Sequence, residues 1–280
     1  MKNTGFVRDV HLAIEQVERE AWFDMYAAAP AAIVQRTKIA FQRLRTAIGL
    51  ADRGTPIAEF NRVLGLGIDE PASEDELERA IAWMKEHAVP SHALQLAPTA
   101  RPEGLPQSLE ARGYRRAGNG WAKYYRGSGP AEGHPNPTAL EVKLVRPEDA
   151  AHFGQVVQAG FGLPAAVADW QSALAGRPKW NVYAAYDGDV PVACGAMFID
   201  GGWAWLGVDA TLAEYRGRGA QNALIERRIA DGIAAGVSGF TAETGQPSEG
   251  EEHKNKSYGN YHRAGFTRLY VRPNYVLPQA

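Results

Sequence analysis

The 280-residue sequence lacks several features that mark specialised classes of protein. Its single cysteine, Cys194, excludes an internal disulfide and a multi-cysteine zinc site, and it favours a reducing compartment. The longest apolar stretches, at 27–34 and 190–199, are too short to span a bilayer. Residues 1–10 contain no apolar run of the signal-peptide kind. We therefore expect a cytoplasmic protein without a membrane partner.

The sequence also has no marked excess of positive or negative charge. The 30 Lys and Arg residues nearly balance the 32 Asp and Glu residues, so the net charge of −2 gives no footprint for nucleic acid, and we expect none as a partner. The seven histidines include no pair four residues apart and no H-E-x-x-H motif, so we expect no metal. The hydrophobic fraction of 45% is ordinary and is sufficient for a packed core.

One segment near the middle of the chain indicates a domain boundary. Residues 127–137 contain three glycines and three prolines, a composition that sustains neither helix nor sheet and is typical of a linker. At roughly 150 residues per domain, the length fits two modest domains. We predict an N-terminal domain over 1–126, a linker over 127–138 and a C-terminal domain over 139–280.

Hydrophobic periodicity predicts alternating helices and strands in both halves. In the N-terminal half we predict helices over 12–28, 33–45 and 105–112, strands over 59–66, 92–97 and 121–125, and a helix that opens at Ser73. Glu76 follows Ser73 by three residues, which is the spacing of a capping box. The weak echo between Gly113-Tyr114 and Gly265-Phe266, each a glycine after a short helix and before an aromatic residue, favours an internal duplication.

The C-terminal half carries more elements. We predict a strand over 140–146, helices over 148–160 and 164–174, a three-stranded meander over 182–186, 192–199 and 203–209, a helix over 219–235, a strand over 239–243, a helix over 255–264 and a strand over 266–276. The helix over 219–235 is amphipathic, with Leu224, Ile225, Ile229 and Ile233 predicted inward and Glu226, Arg227, Arg228 and Asp231 outward. This order predicts an α/β fold of the α+β kind with a mixed sheet.

The most informative motif is Arg216-Gly217-Arg218-Gly219, which joins a strand to that amphipathic helix. The first N–H groups of a helix have no intrahelical partner, and the helix dipole adds partial positive charge. Glycine permits a close approach to the backbone, and the two arginines add donors. The motif predicts a phosphate or pyrophosphate site. It is neither a P-loop nor a dinucleotide fingerprint, since Asn222 stands where a third glycine is required, and an unliganded turn remains the alternative.

The sequence resembles the GNAT superfamily of acetyl-CoA-dependent N-acyltransferases from about Leu140 to Val276. The family motif is [QR]-x-x-G-x-[GA] at a helix start: Arg216 and Gly219 match it, and Gln221 departs at its last position. Tyr261-x-x-x-Gly265-Phe266 resembles the late Y-x-x-x-G-F helix end of the family. The resemblance implies two GNAT-like modules in tandem, of which the N-terminal one is degenerate because it has no comparable phosphate turn.

The resemblance also implies a donor and a set of residues that bind it. Acetyl-CoA would place its pyrophosphate on the turn and its pantetheine arm along the preceding strand, with its thioester in the cleft between that strand and 239–243. N–H groups near Ala210 would stabilise the carbonyl oxygen. The predicted donor-binding residues are Asp209, Ala210, Thr211, Arg216, Gly217, Arg218, Gly219, Ala220, Gln221 and Asn255.

Two proton transfers accompany direct attack of an amine on the thioester. By its match to the family motif Tyr261 is the predicted acid, with Tyr258 in reserve, and a core aromatic is the alternative interpretation of Tyr261. Glu243 and Asp209 are both candidates for the base, acting through water, and either could instead be a solvated carboxylate.

These observations predict an N-acetyltransferase that acts on a primary amine of a small molecule or a peptide. A non-catalytic acyl-CoA sensor and a transferase with a longer acyl or an aminoacyl donor remain open. The N-terminal half is expected to shape the acceptor site or an interface, which leaves a homodimer open. The acceptor itself is set by loop shape and has no sequence motif.

Overall fold

The computed structural model describes residues 4–129 and 138–278, which divide into two units. Unit 1 comprises the residues up to Ala27, Ala31–Ala122 and the residues from Tyr270 onward. Unit 2 comprises Ala28–Pro30 and Lys123–Leu269. Most of the predicted linker, 127–138, lies outside the described residues. The units differ from the predicted domains 1–126 and 139–280 because the last strand of the chain passes back into unit 1.

Unit 1 contains four helices in its described residues, with a sheet whose strand order is β1-β2-β3-β4-β11, followed by β5. The pairs β1–β2, β2–β3 and β4–β11 are antiparallel, whereas β3 and β4 are parallel. The elements are α1 (Thr4–Ala27), α2 (Ala31–Thr37), β1 (Ala40–Leu44), β2 (Ala47–Ala51), β3 (Arg62–Leu64), α3 (Glu74–His87), β4 (Ala93–Gln95), α4 (Leu105–Ala111), β5 (Arg115–Gly127) and β11 (Thr267–Val276). Strands β5 and β11 each contribute residues to both units.

The start of α3 confirms one prediction in unit 1 and the region after α2 corrects another. Ser73 caps α3, and its hydroxyl accepts a hydrogen bond from the Glu76 N–H at 3.1 Å. The predicted helix over 33–45 is wrong beyond Thr37, since Lys38 adopts a φ of 60° and β1 follows. Short apolar runs do not distinguish a buried strand from a helix, which is why β2, all of whose residues are buried, was also missed. The first part of the predicted strand 59–66 is a 3₁₀ turn.

Unit 2 has the predicted element order, from the first strand through two helices and the meander to α8. Its strand order is β5-β10-β9-β8-β7-β6, with β9 parallel to β10 and the pairs from β9 to β6 antiparallel. The predicted mixed α/β sheet is therefore confirmed. The elements are β6 (Glu141–Leu144), α5 (Ala150–Phe161), α6 (Ala166–Ser172), β7 (Trp180–Asp187), β8 (Val190–Asp200), β9 (Trp203–Thr211), α7 (Ala220–Ala234), β10 (Gly239–Gly245) and α8 (Lys256–Arg263).

A β-bulge interrupts β9 shortly before its end. Cys194 of β8 pairs with Ala210 and Ala196 pairs with Gly207, so two residues of β9 oppose one residue of β8. One of the two, Val208, has a φ of 56°, which is rare for a β-branched residue. The parallel pairing of β9 with β10 ends at Leu206 and Ala242, just before the bulge. The two strands are thus unpaired over the last residues of β9, where a ligand can enter.

No helix among the described residues has both the length and the apolar character that crossing a bilayer requires.

Candidate functional site

A cavity of about 910 Å³ opens in unit 2 where β9 has left its pairing with β10. Its walls are the end of β9, the glycine turn, the first residues of α7, the loop that follows β10 and one face of α8. Ligand pockets commonly measure ~300–1,000 Å³, so this volume suits an extended ligand. Phe161 at the end of α5 also lines the cavity and is largely exposed.

The glycine turn has the backbone geometry of an anion site. Gly217 and Gly219 have φ values of 80° and 84°, which residues with a β-carbon rarely adopt. Helix α7 begins at Ala220, and no side chain caps its N-terminus. The N–H groups of its first turn, which have no intrahelical partner, are therefore available to a ligand in the cavity. Arg216 stabilises the turn, since its guanidinium donates to the carbonyls of Thr211 and Gly160 at 3.3 Å each.

Every predicted donor-binding residue except Arg218 lines this one cavity. Arg218 instead forms an ion pair with Asp187, with 2.8 Å between Nη1 and Oδ2, and its guanidinium lies 5.2 Å from the centre of the Tyr215 ring. Only the backbone of Arg218 therefore belongs to the turn. The residues brought together are Asp209, Ala210, Thr211, Arg216, Gly217, Gly219, Ala220, Gln221 and Asn255.

The predicted acid Tyr261 and the predicted base Asp209 are in direct contact. Tyr261 is only 2% exposed, and its hydroxyl donates to Asp209 Oδ2 at 2.6 Å. Burial raises the pKa of Tyr261 well above its usual value, and the negative charge of Asp209 raises it further. The phenol is therefore protonated at any pH at which the protein would work. Asp209 lines the cavity, whereas Tyr261 is not among the lining residues of the described chain.

Comparison with solved structures assigns the fold. A GCN5-related N-acetyltransferase from Kribbella flavida is similar, with a TM-score of 0.62 at 14% identity, covering 96% of this chain and 96% of that one. This chain has the GNAT fold. A GCN5-related N-acetyltransferase from Sphaerobacter thermophilus (TM-score 0.58, 14% identity, 82% of this chain and 80% of that one) agrees. A GNAT-family acetyltransferase from Novosphingobium aromaticivorans also agrees, with a TM-score of 0.51 at 15% identity, covering 84% of this chain and 89% of that one.

The predicted resemblance to the GNAT superfamily is thus confirmed at the level of the fold. No protein-family model matches the sequence, and no curated protein matches it either. The acetyl donor, the acceptor and the tandem origin of the two units stay predictions.

The prediction for Arg228, which contacts Asp209 next to the cavity, is wrong. Arg228 was predicted on the outer face of α7, yet its side chain is fully buried, while Ile233, predicted inward, is 37% exposed. Its guanidinium donates to Asp209 Oδ1 and to the carbonyls of Ala196 (2.8 Å) and Gly207 (3.4 Å), which flank the bulge. The sequence did contain a signal for this burial: Arg228 lies among the apolar positions of the helix, and an aspartate stands near the end of the preceding strand.

A glycine makes room for this ion pair. A β-carbon on Gly195 would lie 2.8 Å from Arg228 Cζ and 2.9 Å from Asp209 Oδ1. Both distances are too short for non-bonded atoms, so a larger residue would displace the pair. Gly195 is the single residue of β8 that faces the bulge.

Gln221, which departs from the family motif, connects α7 to α8. Its Nε2 donates to Ser257 Oγ at 2.9 Å, and its Oε1 accepts from Asn260 Nδ2 at 2.5 Å. All three side chains line the cavity. The departure therefore adds a polar bridge between the two helices on either side of the site.

Asn255 fixes the start of α8. Its Oδ1 accepts from the N–H of Tyr258 at 3.0 Å, and its Nδ2 donates to the carbonyl of Gly245 at 2.8 Å. The first contact is an N-cap and the second links α8 to the end of β10. Asn255 thus reaches the cavity as a structural residue of its wall.

Glu243, the other predicted base, lies on β10 with its side chain 8% exposed. Its Oε2 is 3.7 Å from Nζ of Lys123, a fully buried lysine of β5. Glu243 is not among the described residues that line the cavity. The structure therefore separates the two candidate bases: Asp209 is at the cavity surface and Glu243 is behind it.

Cys194 lies against the bulge, where its thiol donates to the carbonyl of Val208 at 3.6 Å. Burial raises the pKa of this thiol, which a hydrogen bond from the Ala210 backbone only partly offsets. Cys194 is therefore a free, buried thiol that packs inside the sheet. Within the described ranges, no three His, Cys, Asp or Glu side chains are grouped as metal ligands would be.

Proposed function

We propose that the protein is an N-acetyltransferase that transfers an acetyl group from acetyl-CoA to a primary amine of a small molecule or a peptide. The observation that carries this proposal is that the unpaired end of β9 and the glycine turn of α7 line the same cavity. One end of that cavity offers strand backbone for an extended arm, and the other offers helix N–H groups for a pyrophosphate.

The donor would lie along these two features. Its pyrophosphate accepts hydrogen bonds from the N–H groups between Arg216 and Gln221, and Gly217 lets it approach the backbone. Its pantetheine arm pairs with Asp209–Thr211 in the manner of an added strand. This route brings the thioester to the bulge, next to Asp209 and beside the gap that separates β9 from β10.

The chemistry is direct transfer in a ternary complex. The neutral amine attacks the thioester carbonyl carbon, a C–N bond forms and the C–S bond breaks, so the amine loses a proton and the departing thiolate gains one. N–H groups at the bulge stabilise the oxyanion. Since the Ala210 backbone already bonds to Cys194, the neighbouring N–H groups are the better donors.

Proton transfer would use the groups around the bulge. Tyr261 is protonated, as an acid must be, and its proton is directed at Asp209 in this structure. Both oxygens of Asp209 are engaged, one by Arg228 and one by Tyr261. Glu243 lies behind the cavity beside Lys123, so both carboxylates remain candidates for the base, acting through water.

The test is a thiol-release assay with acetyl-CoA against a panel of amines that includes polyamines, amino acids, aminoglycosides and peptides. The proposal expects acetyl-CoA-dependent thiol release with at least one class of amine. Bound acetyl-CoA with no turnover across the panel would favour a non-catalytic sensor, and turnover only with longer acyl thioesters would move the donor to that class. Failure to bind any acyl-CoA would contradict the proposal.

A further inference from the structure

The lining of the cavity carries more positive than negative charge. Its cations are Arg216, Lys254, Lys256 and Arg263, and its anions are Asp209 and Glu251. Asp209 pairs with Arg228, and Glu251 pairs with Lys254. Within the described part of the chain, no carboxylate lies within ion-pair distance of the other three cations. The cavity therefore offers charge to an anion beyond the N–H groups of the glycine turn.

Two of these three cations, Lys256 and Arg263, lie on one face of α8. Lys256 and Arg263 are seven residues apart, which is close to two helical turns. The Arg263 guanidinium turns back along the helix: it donates to Asn260 Oδ1, and a β-carbon on Gly259 would lie 3.2 Å from its Nη1. Positions 259 and 260 are the nearest helical neighbours of Lys256. The Arg263 guanidinium thus reaches the N-terminal half of α8, the half in which Lys256 lies.

This part of α8 is joined to the glycine turn. Asn260, which accepts from Arg263, donates to Gln221 in the first turn of α7 at 2.5 Å. The third cation, Arg216, already donates to the carbonyls of Thr211 and Gly160. The α8 pair is therefore the charge that remains available next to the site proposed for the pyrophosphate.

We propose that Lys256 and Arg263 form a second anion subsite, which takes the ribose 3′-phosphate of a coenzyme A thioester. This inference rests on the proposed function. A phosphomonoester carries about −1.5 to −2 charge at pH 7 and three acceptor oxygens. This suits a lysine and an arginine that pair with no carboxylate of the described residues. Dephospho-CoA and carrier-bound phosphopantetheine lack this group. The donor class is therefore a soluble CoA thioester.

The experiment compares calorimetric titrations of the full-length protein with acetyl-CoA and with acetyl-dephospho-CoA. Wild type should bind acetyl-CoA at least about tenfold more tightly, the effect of one good charge-assisted contact. Lys256→Ala and Arg263→Ala should each reduce this ratio to about threefold or less while leaving the affinity for acetyl-dephospho-CoA nearly unchanged. Adenosine 3′,5′-bisphosphate should likewise bind more tightly than adenosine 5′-monophosphate to wild type alone.

Lys254→Ala is the matched control, because Lys254 lines the same cavity but already pairs with Glu251. It should retain the wild-type ratio. Equal binding of the two donors by wild type would overturn the subsite and leave the proposed function intact. An equal loss of affinity for both donors in Lys256→Ala and Arg263→Ala would also overturn it, since that result would mean that the two cations attract any anionic donor and do not contact the 3′-phosphate. Absence of binding to either donor would instead contradict the proposed function.

Discussion

Tyr261 donates a hydrogen bond of 2.6 Å to Asp209, and this contact joins α8 to the bulge of β9. Arg228 completes the group by donating to the other oxygen of the same carboxylate. The three side chains come from α8, β9 and α7, the elements that surround the cavity. The bulge of β9, the protonated hydroxyl of Tyr261 and helix α7 are therefore joined through one carboxylate, that of Asp209.

Tyr261→Phe should lower turnover and cost some stability. If Tyr261 protonates the departing thiolate, its loss should reduce kcat by about 10²- to 10⁴-fold while the Kd for acetyl-CoA stays close to wild type. Removing one donor from Asp209 should lower the free energy of unfolding by about 1–3 kcal/mol. Tyr258→Phe is the control: if it carries the loss of kcat instead, the reserve tyrosine is the acid.

Gly195→Ala should disrupt the site without touching the cavity. The added methyl group would overlap the Arg228–Asp209 pair, so the free energy of unfolding should fall by about 1–3 kcal/mol. Gly104→Ala is a matched substitution at a glycine with a negative φ and no atom near its β-carbon position. It should change stability by less than about 0.5 kcal/mol. Equal behaviour of the two variants in chemical denaturation would contradict the packing described here.

Gln221→Ala restores a residue type that the family motif allows, and it removes the bridge to α8. The hydrogen bonds between Gln221 and Ser257, and the one that Gln221 accepts from Asn260, are lost. At about 0.5–1.5 kcal/mol each, their loss should increase amide hydrogen exchange throughout α8. Gln221→Met, which keeps the length of the side chain but not its amide, should behave in the same way. Unchanged exchange in both variants would show that the bridge does not stabilise α8.

Stability should decline at alkaline pH. Burial raises the pKa values of Cys194, Tyr26 and Tyr261 in the folded protein, whereas the unfolded chain has ordinary values of about 8.5 for Cys and 10 for Tyr. The unfolded state therefore loses protons first as the pH rises. This stabilisation is complete below about pH 8.5 and is lost progressively above it.

Urea unfolding between about pH 7 and pH 11 measures this effect. Cys194→Ala should remove the part of the decline that begins near pH 8.5 and leave the part near pH 10. A free energy of unfolding that stays constant up to about pH 11 would contradict burial of these groups.

The sequence predicted what depends on local pattern and missed what depends on tertiary contacts. The turn that contains Gly217 and Gly219 could be predicted, because two glycines between a strand pattern and a helix pattern indicate a tight turn. The burial of Arg228 could not be predicted from the sequence, because it depends on the bulge that positions Asp209 and on Gly195 in the neighbouring strand. Likewise, nothing local to Arg218 indicated that Asp187, in another strand, would pair with it.

The start of β1 illustrates the same limit. The segment after α2 has apolar residues at spacings that fit a helix, but Lys38 and Arg45 adopt positive φ values, and β1 is stabilised by pairing with β2. Pairing between strands is a tertiary contact that overrides local propensity.

The most direct test of the account is a calorimetric titration of acetyl-CoA into wild type and three glycine variants. Gly217 and Gly236 have φ values of 80° and 79° with open space around them, and only Gly217 lines the cavity. Asp and Asn both tolerate this backbone region. Gly217→Asp therefore adds a negative charge to the glycine turn, while Gly217→Asn adds the same bulk without charge. Wild type and Gly236→Asp should bind equally well, Gly217→Asn more weakly, and Gly217→Asp not measurably. Equal binding by Gly217→Asp and wild type would contradict the assignment of the α7 turn as the pyrophosphate site.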